Sequence, residues 1–132
     1  MDTNSKKKIL VVDDDPEMRL ALLVRLKANN YDVACASDGV SGISETRRSN
    51  PDLIILDLGL PAGDGFTVLE RLQAVDAFAA IPVIVLSGRD RAANQDRAMQ
   101  AGARMFLQKP VQTSYLLSAI NQALKGPSMG LN

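Results

Sequence analysis

Five polar residues sit where apolar runs stop. Asp13 and Asp14 follow "KILVV", Asp57 follows "LIIL", Ser87 closes "IPVIVLS", and Lys109 follows "RMFLQ". Taken singly, each is ordinary: an aspartate after a strand more often forms a turn or caps a helix than binds anything. Together they compose a chemistry. Three carboxylates in one cleft repel each other and need a counter-charge. A hard divalent cation held by oxygen ligands supplies it, and Lys109 supplies more. A carboxylate can also act as a nucleophile and take up a phosphoryl group as an acyl phosphate. Magnesium, a lysine and a hydroxyl donor suit the charge on the transferring phosphoryl oxygens. The short "DLGLPAGDG" stretch adds Gly59, whose backbone carbonyl is free to turn toward a metal.

What is missing narrows the chemistry further. The chain has no histidine, so it has no His–Ser or His–Cys catalytic pair, no imidazole metal ligand and no phosphohistidine. There is no Walker loop either, because "AGDG" lacks the Gly-Lys-Ser/Thr ending.

The five residues can meet only if the elements between them bring the strand ends together. "KILVV", "YDVACA", "PDLIILDL", "IPVIVLS" and "RMFLQ" read as strands. Between and after them lie five segments with helical spacing. Met18, Leu22 and Leu26 mark the inward face of the first, and Val40 and Ile43 that of the second. Leu116 or Leu117, with Ile120 and Leu124, mark the inward face of the last. Such alternation predicts an α/β fold with a parallel sheet covered on both faces. In a parallel sheet the carboxyl ends of the strands share one edge, where ligands bind.

At 132 residues and 46% apolar content the chain is most simply one domain with a real core. Lys and Arg balance Asp and Glu at 15 each, so there is no bulk basic signal for nucleic-acid binding. No apolar run reaches membrane-spanning length, and "MDTNSKKK" has no signal-peptide core, which reads as cytoplasmic. Cys35 lies in the apolar "YDVACAS" and reads as a small buried hydrophobe. Residues 1–6 and "GPSMGLN" read as tails outside the folded unit.

The set "ILVVDDDPEMR", "PDLIILDLGLPAGDG", "IPVIVLSGRD", "AGARMFLQKP" and "LLSAINQAL", in this order, resembles the response regulator receiver domain of two-component signalling. The match spans about residues 7–125. The resemblance implies a flavodoxin-like, doubly wound five-stranded sheet of order 2-1-3-4-5 with five helices, an order already known from a member of this family. It further implies that Asp57 accepts a phosphoryl group from a histidine kinase or histidine phosphotransfer protein. Asp13, Asp14 and Asp57 with the Gly59 carbonyl would hold Mg2+, and Ser87 and Lys109 would pair with the phosphoryl group. Phe106 would be the aromatic switch partner of Ser87, turning inward as Ser87 moves, and Pro110 would follow a cis peptide bond. The face of the fourth helix, fifth strand and fifth helix would then change shape. A member of this family is a receiver that catalyses its own phosphorylation and dephosphorylation, and not an enzyme acting on other substrates. It acts through a downstream protein partner or an output domain.

The sequence departs from the family pattern in places. Ser87 stands for the commoner threonine, and Gly88 for alanine. Gly59 puts no side chain over Asp57, so water should reach a phosphoryl group there easily, and Arg89 is a second residue placed to tune that rate. Two other readings use the same residues. "DDD" contains the Asp-x-Asp of haloacid-dehalogenase-like phosphatases, with Asp13 as nucleophile and Asp15 as acid, but Pro16 and Glu17 do not continue that motif. A receiver-like interaction module without phosphorylation would normally have lost a key residue, and none is lost. Asp15, followed by Pro16 and Glu17, suits a helix N-cap instead of a ligand. Leu20, Leu23 and Val24 exceed what the first helix needs for its core. They suit either docking of a kinase or phosphotransfer helix or packing at neighbouring helix edges.

Overall fold

The computed structural model describes residues 5–60 and 65–126. Among the described residues the chain forms strands β1 (Lys8–Val12), β2 (Asp32–Ala36), β3 (Leu53–Leu56), β4 (Val83–Ser87) and β5 (Met105–Gln108). Helices α1 (Pro16–Ala28), α2 (Gly39–Ser49), α3 (Gly65–Gln73), α4 (Asp76–Ala79), α5 (Arg91–Gln100) and α6 (Thr113–Leu124) alternate with them. The sheet is fully parallel, in the order β2-β1-β3-β4-β5. The fold class expected from the sequence is therefore present. The one addition among the described residues is α4, a single turn after α3 whose apolar Phe78 packs onto the core. Most of the expected tails, and the Pro61–Asp64 part of the loop after β3, lie outside the described residues.

Period-two alternation divides the core. Ile9, Val11, Ile55, Ile84 and Leu86 face one side, where Leu22 and Leu26 of α1 and Leu116 and Ile120 of α6 cover them. Leu10, Val12, Ile54, Leu56 and Val85 face the other, under α2, α3 and α5. A strand buried on both faces has no polar position to spare, which is why β1, β3 and β4 read as unbroken apolar runs.

Local signals set the helix ends. The Asp15 carboxylate accepts the Glu17 N–H at 2.9 Å with Pro16 opening α1, as its sequence suggested. Asp38 and Ser41 form a capping box on α2.

Two expectations fail here. Val40 does not turn inward but is 65% exposed. Gly39, Gly42 and Thr46 make the buried stripe of α2, with Ile43 only packed at its edge. The reason is closeness: a Cβ at Gly42 would lie 3.1 Å from Val12 Cγ1, so the helix meets the sheet through its glycine side. Cys35 is exposed, because β2 is an edge strand of which only Ala36 is fully covered. Partial desolvation of its sulfur still raises the thiol pKa, so exposure does not make it a thiolate.

Candidate functional site

The backbone ladder runs one residue past each strand and into the site. Asp13 N–H donates to the Ala36 carbonyl at 3.1 Å, and Asp57 N–H to the Val12 carbonyl at 3.0 Å. Lys109 N–H donates to the Ser87 carbonyl at 2.8 Å. The functional side chains thus leave the ends of a hydrogen-bonded sheet, and strand register fixes their spacing.

Asp13, Asp14 and Asp57 offer carboxylate oxygens that all lie within 4.8 Å of one another. Asp13 and Asp57 are buried, while Asp14 is exposed at the rim. Lys109 lies between the two buried acids. Its Nζ is 2.9 Å from Asp13 Oδ2 and 3.6 Å from Asp57 Oδ2. Desolvation pulls the Lys109 pKa down, but the Asp13 hydrogen bond and the charges of Asp57 and Asp13 outweigh it. The net shift is upward, and the ammonium stays charged. The remaining oxygens are held too: Asp13 Oδ1 accepts the Asp15 N–H at 2.9 Å, and Asp57 Oδ1 the Gly59 N–H at 3.1 Å. Three clustered carboxylates with one ammonium still leave an excess of negative charge. Oxygen donors in that balance fit Mg2+.

Ser87 is fully buried at the end of β4, and its Oγ accepts the Arg89 N–H at 3.1 Å. Arg89 itself is exposed. The Lys109–Pro110 peptide bond is cis. A Cβ at Gly59 would stand 3.7 Å from both Asp57 carboxylate oxygens, in ordinary contact, so the space over Asp57 is open because residue 59 is glycine. Phe106 is the residue to which the resemblance gives the switch role. Its ring already points inward, 2% exposed, in the same cluster as Val85, Ala98 and Ala103. Period-two alternation sends it to the α5 side of β5 and Leu107 to the α6 side.

Several residues that matter to this geometry were not singled out from the sequence. Arg19 donates from its guanidinium to the Asp13 carbonyl at 2.7 Å, pinning the end of β1 to α1. Gly65 is buried at the start of α3, where a Cβ would fall 2.6 Å from Leu58 Cα and 2.7 Å from the Asp57 carbonyl. Gln108 donates from Nε2 to the Arg89 carbonyl at 3.1 Å. All three lie inside the quoted motifs, Arg19 and Gly65 as their last residues, but sequence spacing carries no signal of a side chain reaching a backbone carbonyl or of a close backbone approach. Beside the site, Arg91, Pro110, Gln112 and Tyr115 line part of a pocket of about 290 Å3 on the α5, β5 and α6 face.

The family model of the response regulator receiver domain matches residues 9–121. The chain belongs to that family. The receiver domain is 36% identical over 118 residues to the DNA-binding dual master transcriptional regulator RpaA of Synechocystis, covering 89% of this chain and 49% of RpaA. It is 33% identical over 119 residues to Protein PilH of Pseudomonas aeruginosa, covering 90% of this chain and 98% of PilH. A CheY-like receiver domain from Methanospirillum hungatei superposes with a TM-score of 0.85 at 27% identity, covering 92% of this chain and 95% of that one. The chain spans about half the length of RpaA and of the other transcriptional regulators it matches. No helix among the described residues is long and apolar enough to cross a membrane.

Proposed function

We propose that this receiver domain takes a phosphoryl group onto Asp57 from a phosphohistidine on a histidine kinase or phosphotransfer protein, with Mg2+ bound. Residues 7–125 form the unit that does this. The observation that carries the reading is the meeting of Asp13, Asp14 and Asp57 with Lys109 at one edge of the sheet. An Asp57 carboxylate oxygen forms the new bond to phosphorus. The bond from phosphorus to the donor imidazole nitrogen breaks, and its electron pair returns to that nitrogen. Asp13, Asp14, Asp57 and the Gly59 carbonyl hold the cation, which when bound neutralises charge on the phosphoryl oxygens. Lys109 and the Ser87 hydroxyl pair with the remaining oxygens. Water then attacks phosphorus, releases inorganic phosphate and restores the carboxylate. The open space above Asp57 at Gly59 favours this return, and Arg89 is the second residue that tunes its rate.

The closer hold of Lys109 on Asp13, at 2.9 Å against 3.6 Å to Asp57, supports Asp57 over Asp13 as nucleophile, as does the use of Asp15 as a helix cap. The output is a change of the α5, β5 and α6 face, read by a partner protein or by an output domain in the cytoplasm. Leu20 and Val24 of α1 are 60% and 59% exposed, which favours their use in docking the phosphodonor over packing at helix edges. Incubation with a small phosphodonor and Mg2+ is the test. Stoichiometric phosphoryl uptake that chelation of Mg2+ abolishes is the expected result; no uptake under any Mg2+ concentration would overturn the reading.

A further inference from the structure

The sheet does not end at its last backbone hydrogen bond. Ser87 of β4 is in register with Gln108 of β5, and Lys109 N–H on the Ser87 carbonyl closes the ladder. One more cross-link lies beyond it, made by a side chain. Gln108 Nε2 donates to the Arg89 carbonyl at 3.1 Å, across the mouth of the loop from β4 to α5. The other backbone group of the same residue is also engaged, since Arg89 N–H donates to Ser87 Oγ at 3.1 Å. Residue 89 is therefore clamped on both sides. The hinge between is Gly88, where a Cβ would meet nothing within 4 Å, so neither packing nor a side chain restrains it.

The Ser87 hydroxyl has one hydrogen to give and lone pairs to accept with. Arg89 N–H takes an accepting position and leaves the O–H free to donate. Ser87 can move its Oγ toward a phosphoryl group while keeping the Arg89 N–H only if residue 89 follows it. Residue 89 can follow only if its carbonyl leaves Gln108. The Phe106 ring is already seated inward, so from this arrangement the loop, and not the ring, has a movement left to make.

We propose that Gln108 is a positioning residue that latches the β4–α5 loop against Ser87 movement, and so sets how readily the site accepts a phosphoryl group. The proposal rests on the reading of Asp57 as the phosphoryl acceptor. A contact made in one arrangement and lost in the other biases the equilibrium by its own free energy, and weakens any ligand that selects the second. For one neutral hydrogen bond this is a factor of about two to ten.

Calorimetric titration of the Mg2+-loaded protein with fluoroberyllate, an acyl-phosphate mimic on carboxylates, tests it. Gln108→Leu and the near-isosteric Gln108→Met both remove the donor at an exposed position. Both should bind fluoroberyllate about two- to tenfold more tightly than wild type. Their affinity for Mg2+ alone should be unchanged, their thermal midpoints should fall by no more than a few degrees, as the loss of one hydrogen bond requires, and exchange of the Arg89 amide hydrogen should be faster. Equal or weaker fluoroberyllate binding by both variants, with wild type binding through Asp57, overturns the latch alone. Wild type that shows no Asp57-dependent binding overturns the underlying reading, and the latch with it.

Discussion

The two halves of the sheet's carboxyl edge are built differently. At β1 and β3 the site residues are locked. Asp13 and Asp57 are buried, their backbones are tied into neighbouring strands, and Arg19 and Gly65 press the adjoining segments against them. At β4 and β5 the ladder closes between Ser87 and Lys109, and the loop beyond Ser87 is held by single side-chain contacts. Arg89 hangs from Ser87 and Gln108, and Gly88 touches nothing with its missing side chain. Electrostatic preorganisation needs groups that do not relax when charge arrives. A response needs an element with two arrangements of similar free energy. Under the proposed function these requirements fall on separate strands, with Lys109 bridging them through its ion pair to Asp13.

The contrast can be broken most severely on the locked side. Asp14→Asn removes a charge from the cation cluster and should weaken Mg2+ binding on the order of tenfold or more. Asp15→Asn, one residue along, keeps the cap and should leave Mg2+ binding nearly intact. Calorimetry with MgCl2 separates the two, and equal losses would mean that Asp15 is also a ligand.

Next in size is Gly65→Ala. Its methyl would need backbone to move at Leu58 and Asp57, so a loss of about 1–3 kcal/mol in urea unfolding is expected. Gly88→Ala, on the loose side, should stay within about 0.5 kcal/mol of wild type. Similar costs for the two glycines would erase the distinction between the halves.

Subtler is Gly59→Leu, whose side chain starts 3.7 Å from the Asp57 oxygens and would cover them. It should slow dephosphorylation several-fold with little loss of stability. An unchanged rate of phosphate release would show that water reaches Asp57 by another route.

The locked half was also the legible half. Buried strands advertise themselves as apolar runs, and a polar residue at the end of such a run needs a reason to be there. The strands themselves and the meeting of the acids at one edge followed from that logic, the cap at Asp15 followed from Pro16 and Glu17 behind it, and the strand order came from the family resemblance. Val40 misled because hydrophobicity was the only measure of facing, whereas α2 packs through Gly39 and Gly42. Cys35 misled because an apolar string does not say whether its strand lies at an edge. Gln108 was invisible for a third reason. Its role is a side-chain contact to a carbonyl nineteen residues away, and neither periodicity nor motif spacing encodes such a pair. Phe106 was placed by its position in a motif, while its inward setting came from alternation along β5.

The central claim is that the phosphoryl group lands on Asp57. The most direct measurement is peptide mapping by mass spectrometry after phosphorylation with a small phosphodonor and Mg2+, on wild type and on Asp57→Asn. The account predicts a single modified site at Asp57 and no modification of the variant. A phosphoryl group found on Asp13, or retained by Asp57→Asn, would contradict it.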